Sequence, residues 1–337
     1  MTSARLLPAD DPAAIREAAA ALAQGRLVAF PTETVYGLGA DAANGRAVAR
    51  VYAAKGRPSF NPLIAHLANV EAAEREGMFN AAAKTLAARF WPGPLTLVVP
   101  RSPGCRVADL ATAGLDSVAL RVPDSSAAHA LLSAFGGPVV APSANRSGHV
   151  SATTAAHVAD DLGDSVAIIL DGGATKIGIE STVVDCTGNR ARILRPGAVT
   201  RAQIATALGV ETLGTGGLGA NPGASAAHTD AVVAPGMLAS HYAPAASVRL
   251  GVREVRPGEA LLNFAGAAVP GAQEAAAVFD LSPTASLEEA AANLFTALRA
   301  LDRPGVTAIA AVAIPGEGLG EAINDRLRRA AAPRDKN

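Results

Sequence analysis

Cysteine is nearly missing from this 337-residue chain: Cys105 and Cys186 are the only two, and they lie far apart. That spacing excludes the paired short-range ligands of a zinc module and the density of a disulfide framework, so a reducing compartment is expected. An excess of either charge is also missing. Lys and Arg total 29 against 30 Asp and Glu, for a formal net charge of -1, which rules out a polybasic field for non-specific nucleic-acid or membrane-surface binding. Aromatic residues make up 4%, with one Trp and three Tyr, poor material for stacking bases. No apolar run approaches a membrane span. The start, MTSARLLPADDPAAIREAAAALAQG, lacks the basic head and apolar stretch of an export signal, and a cytoplasmic protein with no membrane contact is expected. There is no G-x-x-x-x-G-K-[ST] phosphate loop, no H-E-x-x-H, no G-x-S-x-G elbow and no Cys/His cluster, so neither a covalent nucleophile nor a protein-bound metal is indicated.

What is present is an α/β pattern. Half of the residues are apolar, and the length favours two units. Asp11-Pro12 reads as an N-cap followed by proline at the first helical position, opening an Ala-rich helix that ends at Gly25. A short strand over 27–31 leads into a polar turn with Thr32, Glu33, Thr34 and Tyr36. Helices are expected at 44–54, 80–90 and 125–135, and strands at 62–68, 94–100, 117–123, 138–145, 166–171, 181–186 and 192–197. Strands and helices do not strictly alternate, so the sheet is not expected to be purely parallel. This first unit, 1–208, gives way to a Gly/Ala/Pro-rich linker, 209–246. Gly214, Gly216 and Gly219 there spell G-x-G-x-x-G, but without the preceding strand and following helix that give the pattern a mechanism. A small, partly parallel α/β domain follows over 247–337. It begins with a strand pair at 248–252 and 260–266, continues with strands at 277–282 and 306–314, and has helices at 286–301 and 320–331.

The polar residues with chemical promise sit at element ends. In 55-KGRP-58, Gly56 and Pro58 stop a helix and send Lys55 and Arg57 out of one turn; the pair is either solvated or aimed at an anion. Ser143 and Asn145 leave a strand end in APSAN, able to meet phosphate or ribose. Arg121, within the apolar strand ALRVP, needs an anion: an internal partner such as Asp116 or Asp124, or a ligand carboxylate. Arg195, in ILRPG, repeats that situation. His66 fits a core histidine or a ligand contact, Thr32, Thr34 and Ser181 fit turns or ligand contacts, and Glu33 and Glu180 are candidate bases. The inventory suits a site that aligns a polyanion with a small carboxylate.

Taken in order, FPTETVYGLGADA, Lys55-x-Arg57 with NPLIAH, WPGPLT, TAGLDSVALRVP, APSANRSG, IESTVVD and LRPG resemble the threonylcarbamoyl-AMP synthase, or YrdC-like, family across residues 10–200. PGMLASHYAP and the tail PGEGLGEAINDRLRRAA resemble its longer, two-domain members. The resemblance implies a YrdC-like twisted mixed-sheet domain followed by a small Rossmann-like α/β domain. It implies an enzyme that joins L-threonine, bicarbonate or CO2, and ATP into threonylcarbamoyl-AMP and pyrophosphate, for the threonylcarbamoyladenosine modification of tRNA by downstream transferase proteins. By the family pattern Thr32, His66, Arg121 and Ser181 hold threonine. Lys55, Arg57, Ser117, Ala141, Ser143, Asn145, Ser151 and Arg195 contact the nucleotide, with Lys55 and Arg57 catalytic, and Tyr242 closes over the site from the linker. Magnesium would arrive with ATP. Two other readings stay open: an RNA-binding module with possible tRNA contact, and a carbamoyl transferase of metallocentre maturation.

Overall fold

The computed structural model describes residues 4–210 and 241–333; Gly214, Gly216, Gly219 and most of the expected linker lie outside them. The strands of the first unit are β1 (Arg5–Pro8), β2 (Val28–Pro31), β3 (Tyr36–Asp41), β4 (Ile64–His66), β5 (Leu95–Pro100), β6 (Ser117–Arg121), β7 (Val139–Val140), β8 (Ile168–Asp171), β9 (Thr182–Asp185) and β10 (Arg192–Arg195). They form one sheet in the order β1-β8-β2-β3-β7-β4-β6-β5-β9-β10. Pairs β1/β8, β2/β8, β4/β6 and β5/β9 are parallel and the others antiparallel, so the sheet is mixed, as expected. Its helices are α1 (Pro12–Ala23), α2 (Gly45–Lys55), α3 (Val70–Glu76), α4 (Ala81–Phe90), α5 (Asp109–Thr112), α6 (Ser126–Phe135), α7 (Ala155–Leu162) and α8 (Arg201–Leu208).

Local chemistry sets the boundaries that matter for the site. Asn44 caps α2 by accepting from Arg46 N and Ala47 N at 3.1 and 3.3 Å. Gly56 ends the helix at φ +60°, a conformation glycine adopts without a Cβ clash, and Lys55 and Arg57 leave this turn for different backbone acceptors. The expected strand 138–145 shrinks to Val139–Val140. Pro138 and Pro142 have no N–H to give a ladder, and the chain past Ala141 becomes a loop. Strand β3 is not among the expected strands, its first residue, Tyr36, being assigned to the polar turn. Its glycines hid it: a Cβ on Gly39 would lie 2.9 Å from both the Phe30 ring and Val28 O, so the glycine lets two strands pass closely.

The second unit contains β11 (Ser247–Leu250), β12 (Glu259–Asn263), β13 (Val278–Asp280) and β14 (Ala308–Ala311), with α9 (Leu287–Leu301) and α10 (Leu319–Ala331). All four strands are parallel in the order β11-β14-β12-β13. The expected pairing of the first two strands is therefore corrected: β14, reached through the α9 crossover from β13, lies between them.

The two units share a core. Val35, Val150 and Ile179 of the first pack in one buried cluster with Leu294, Phe295 and Ile323 of the second. Arg299 on α9 donates to Asp161 Oδ2 at 2.7 Å and to Val150 O at 2.5 Å. Gly178, at φ +76°, meets α9 so closely that a Cβ would stand 2.5 Å from Ala291 O and Ala292 Cα.

Candidate active site

Three strand ends and three loops converge on a small cavity. The Thr34–Val35 turn after β2, the ends of β4 and β6, the Ala141–Ser143 loop after β7, Glu180–Ser181 before β9, and Arg195 at the end of β10 supply its walls, with His241 and Tyr242 from the segment before β11. Its volume is about 50 Å³.

The cations are buried rather than solvated. Lys55 is 4% exposed, and its Nζ donates to Ser143 O at 2.6 Å and Asn145 O at 2.5 Å. Arg57 donates through Nε to Asn61 O at 3.3 Å and through Nη2 to Pro62 O at 3.0 Å. Arg195 donates through Nη2 to Ser181 O at 2.9 Å and to Ser181 Oγ at 3.2 Å. All three are satisfied by neutral acceptors, and none forms an ion pair among the described residues. Burial, then the neighbouring Arg57, pulls Lys55 down to about 7. Burial also lowers Arg57 to about 10 and lowers Arg195. His241 sits among these cations, and burial followed by Arg57, Lys55 and Arg195 keeps its ring neutral. Several buried positive groups with no carboxylate in hydrogen-bond contact among the described residues mark a place that an anion stabilises.

Arg121 is different. Its partner is neither Asp116 nor Asp124: Nη2 donates to Glu33 Oε1 at 2.6 Å, both side chains being buried. Nε donates to Gly93 O at 3.3 Å. Glu33 Oε2 has no hydrogen-bond partner among the described residues. His66 lies next to Arg121 across the β4/β6 register. Its Nδ1 is 3.2 Å from Ile64 O, and burial together with Arg121 pulls it down to about 3, so it is a neutral imidazole at physiological pH.

Not every expected residue reaches this cavity. His66, Arg121, Ala141, Ser143, Ser181, Arg57, Arg195 and Tyr242 line it. Lys55 stands behind Ser143, and Asn145 is held by donations to Arg146 O and His149 O at 2.8 Å each, with its Oδ1 unpartnered among the described residues. Ser151 touches the wall indirectly, donating to Glu180 Oε1 at 2.6 Å. The Thr32 hydroxyl is turned to Val35 O at 2.7 Å, and Thr32 and Glu33 face a neighbouring open cleft of about 1130 Å³. Ser117, half-exposed at the start of β6, lies outside both.

Two residues escaped the sequence reading. His241 could have been found from its place beside Tyr242. Arg326 carries no local signal: in INDRLRRA it looks like one of three basic residues compensating a helix dipole, yet it is wholly buried. Its Nε donates to Glu180 Oε2 at 3.0 Å. Its guanidinium carbon lies 5.5 Å from the Tyr242 ring centre, and that ring stacks on Phe295 at 5.4 Å. Burial opposes its charge, but Tyr242, Glu180 and Asp325 together raise its pKa.

Known proteins share this arrangement along the whole chain. The family described as Telomere recombination matches residues 20–197, and that described as Threonylcarbamoyl-AMP synthase, C-terminal domain matches 199–332. Threonylcarbamoyl-AMP synthase of Pyrococcus abyssi is 43% identical over 332 residues, covering 95% of this chain and 94% of that one. The Bacillus subtilis protein of the same name is 42% identical over 340 residues, covering 97% and 95%. The crystal structure of P. abyssi Sua5 complexed with L-threonine superposes with a TM-score of 0.85 at 40% identity, covering 98% of both chains. E. coli YciO, at 20% identity and TM-score 0.51, shares the fold over 58% of this chain. By its sequence, its two matched regions and its full-length relatives, the chain belongs to the threonylcarbamoyl-AMP synthase family.

Proposed function

We propose that the protein makes threonylcarbamoyl-AMP from L-threonine, ATP and bicarbonate or CO2, releasing pyrophosphate. The observation that carries this reading is the meeting, around one small cavity, of Arg57 and Arg195, with Lys55 behind the Ser143 wall, all three without a carboxylate ion pair among the described residues, and of an arginine oriented by a carboxylate. P. abyssi Sua5, 40% identical, is known in complex with L-threonine.

The chain's own groups divide the work. Glu33 holds one side of Arg121 through Nη2, which orients the guanidinium for the carboxylate of threonine. Neutral His66 and the Ser181 hydroxyl offer polar contacts to its amine and hydroxyl. Thr32 joins them only if its hydroxyl leaves Val35 O. The threonine amine attacks CO2 and loses a proton, giving a carbamate. A carbamate oxygen then attacks the α-phosphorus of ATP, forming the mixed anhydride as the bond to pyrophosphate breaks. Lys55, Arg57 and Arg195 lie where the triphosphate charge must be met, and fixed cations in a dry site are worth far more than in water. Ser143, Asn145, Ser151 and the small Ala141 shape the nucleotide wall, and Ser117 contacts it only in an enlarged site.

Magnesium fits as a companion of the triphosphate rather than a resident of the protein. No cluster of three metal-ligating side chains exists among the described residues, and both Glu180 oxygens are engaged. The cavity of about 50 Å³ is far below the roughly 300–1,000 Å³ of small-molecule sites, so ATP enters only after His241 and Tyr242 swing outward. We further propose the unit boundaries 1–208, 209–246 and 247–337. Downstream, a reactive carbamoyl-adenylate calls for a transferase that carries it to tRNA, with any tRNA contact made locally. A cytoplasmic location follows, and among the described residues no helix is long and apolar enough to cross a membrane.

The test is pyrophosphate release from ATP with L-threonine and bicarbonate each present or withheld, and mass analysis of the nucleotide product. Dependence on both, with a threonylcarbamoyl-adenylate mass, supports the reading; turnover indifferent to threonine refutes it.

A further inference from the structure

Arg326 belongs to α10, yet its guanidinium works almost entirely outside its own unit. It is 0% exposed. Nε donates to Glu180 Oε2 at 3.0 Å, and Nη1 donates to Pro196 O at 2.6 Å and Asp325 Oδ2 at 3.0 Å. The central carbon of the guanidinium sits over the Tyr242 ring, 5.5 Å from the ring centre. Nη2 is buried and has no hydrogen-bond partner among the described residues. As glue between two units this is a poor choice, because a buried ion pair adds little net stability over apolar packing and an unpaired buried donor subtracts from it. What Arg326 touches is more telling. Glu180 is in the cavity wall, Pro196 directly follows Arg195, and Tyr242 covers the cavity.

We propose that Arg326 is a positioning residue of the synthase site, so that the nucleotide pocket of the first unit is completed by a side chain of the second. The inference rests on the reading of Lys55, Arg57 and Arg195 as the triphosphate site. Arg326 acts through two neighbours and touches no substrate. Glu180 divides its oxygens: Oε1 takes the Ser151 hydroxyl at 2.6 Å and Oε2 takes Arg326. Without Arg326, Oε2 is released beside Arg195, with which it already interacts electrostatically. A carboxylate there neutralises the charge meant for phosphate. The same loss removes the cation that holds the Tyr242 ring against Phe295.

Arg326→Lys keeps the charge but cannot reach Glu180 Oε2, Pro196 O and the Tyr242 face at once. We expect a folded protein whose KM for ATP rises about 30-fold while the KM for L-threonine moves little, since displacements near 1 Å cost on that order. Glu321→Gln, on the same helix, removes the charge from the Arg201–Glu321 pair (2.6 Å), neither member of which lines the cavity, and is the docking control, expected to leave both constants unchanged. A folded Arg326→Lys with unchanged KM for ATP overturns the proposal. So does an equal change in both substrates that Glu321→Gln reproduces. Hydrogen exchange on the wild-type chain gives a second arm that no folding defect can spoil: ATP with magnesium should slow exchange along α10, and unchanged α10 exchange with ATP bound overturns the coupling. Wild-type protein without threonine-dependent pyrophosphate release would strike the underlying reading instead, and the exchange arm would still report on the coupling.

Discussion

Binding of ATP to this protein should draw a proton from solution, and Lys55 is the group that takes it. With burial and Arg57 holding Lys55 at about 7, simple titration leaves roughly a tenth of the empty sites protonated there at pH 8. A triphosphate arriving beside Lys55 restores the ammonium, so uptake approaches about 0.9 proton per ATP at pH 8 and falls to about 0.1 at pH 6. Calorimetric titration of ATP with magnesium, in buffers of different ionisation enthalpy, reads this number directly. Lys55→Arg, which keeps a charge that does not titrate, should abolish it. The same shift acts on stability. Between the folded value near 7 and the ordinary 10.5 the unfolded chain binds the extra proton, so stability rises with pH through that window. The rise from pH 7 to 9 attributable to Lys55 is about 2 kcal/mol, and Lys55→Met should flatten it in chemical denaturation. Proton uptake near zero at pH 8, or one unaffected by Lys55→Arg, refutes the placement of this cation against the triphosphate.

The other predictions follow from contacts. Arg121→Ala leaves Glu33 buried without its partner and should cost about 3–5 kcal/mol in denaturation; adding Glu33→Gln should recover much of that without recovering threonine affinity, and recovered affinity would exclude Arg121 as the carboxylate clamp. Tyr242→Ala removes a buried ring stacked on Phe295 and should lower the melting free energy by about 3 kcal/mol. The same variant should change turnover, and unchanged turnover and threonine affinity would remove Tyr242 from the closing motion. Gly178→Val puts a branched side chain where a Cβ already meets α9 at 2.5 Å; the shared core should open and the thermal transition split in two, and a single unshifted melt would show that the close approach is unnecessary.

Much of this architecture was legible in the chain because local rules dictated it. Asn44, Gly56 and Pro58 announce where α2 starts and why Lys55 and Arg57 leave one turn. The mixed sheet follows from the irregular alternation of apolar runs. What the sequence concealed depends on distance along it. The partner of Arg121 is 88 positions away and that of Arg326 146 positions away, and nearby aspartates were the natural guesses for the former. Strand β3 was masked by the two glycines that make its packing possible. The order of the second sheet was misjudged because neighbouring strands in sequence pair readily only in antiparallel hairpins, and this sheet is wholly parallel.

The tie between Arg326 and Pro196 spans 130 residues, and that interval has a meaning during translation. The first ten strands leave the ribosome complete, but Val35, Val150 and Ile179 stay bare until α9 and α10 emerge to cover them. At 5–20 residues per second the wait is roughly 7–26 s. Over that time the nascent chain carries an apolar patch and an unbraced Glu180. Only a chain complete through α10 supplies the Arg326 contacts to Glu180 and Pro196, so a ribosome stalled upstream of α10 leaves that wall of the site unbraced.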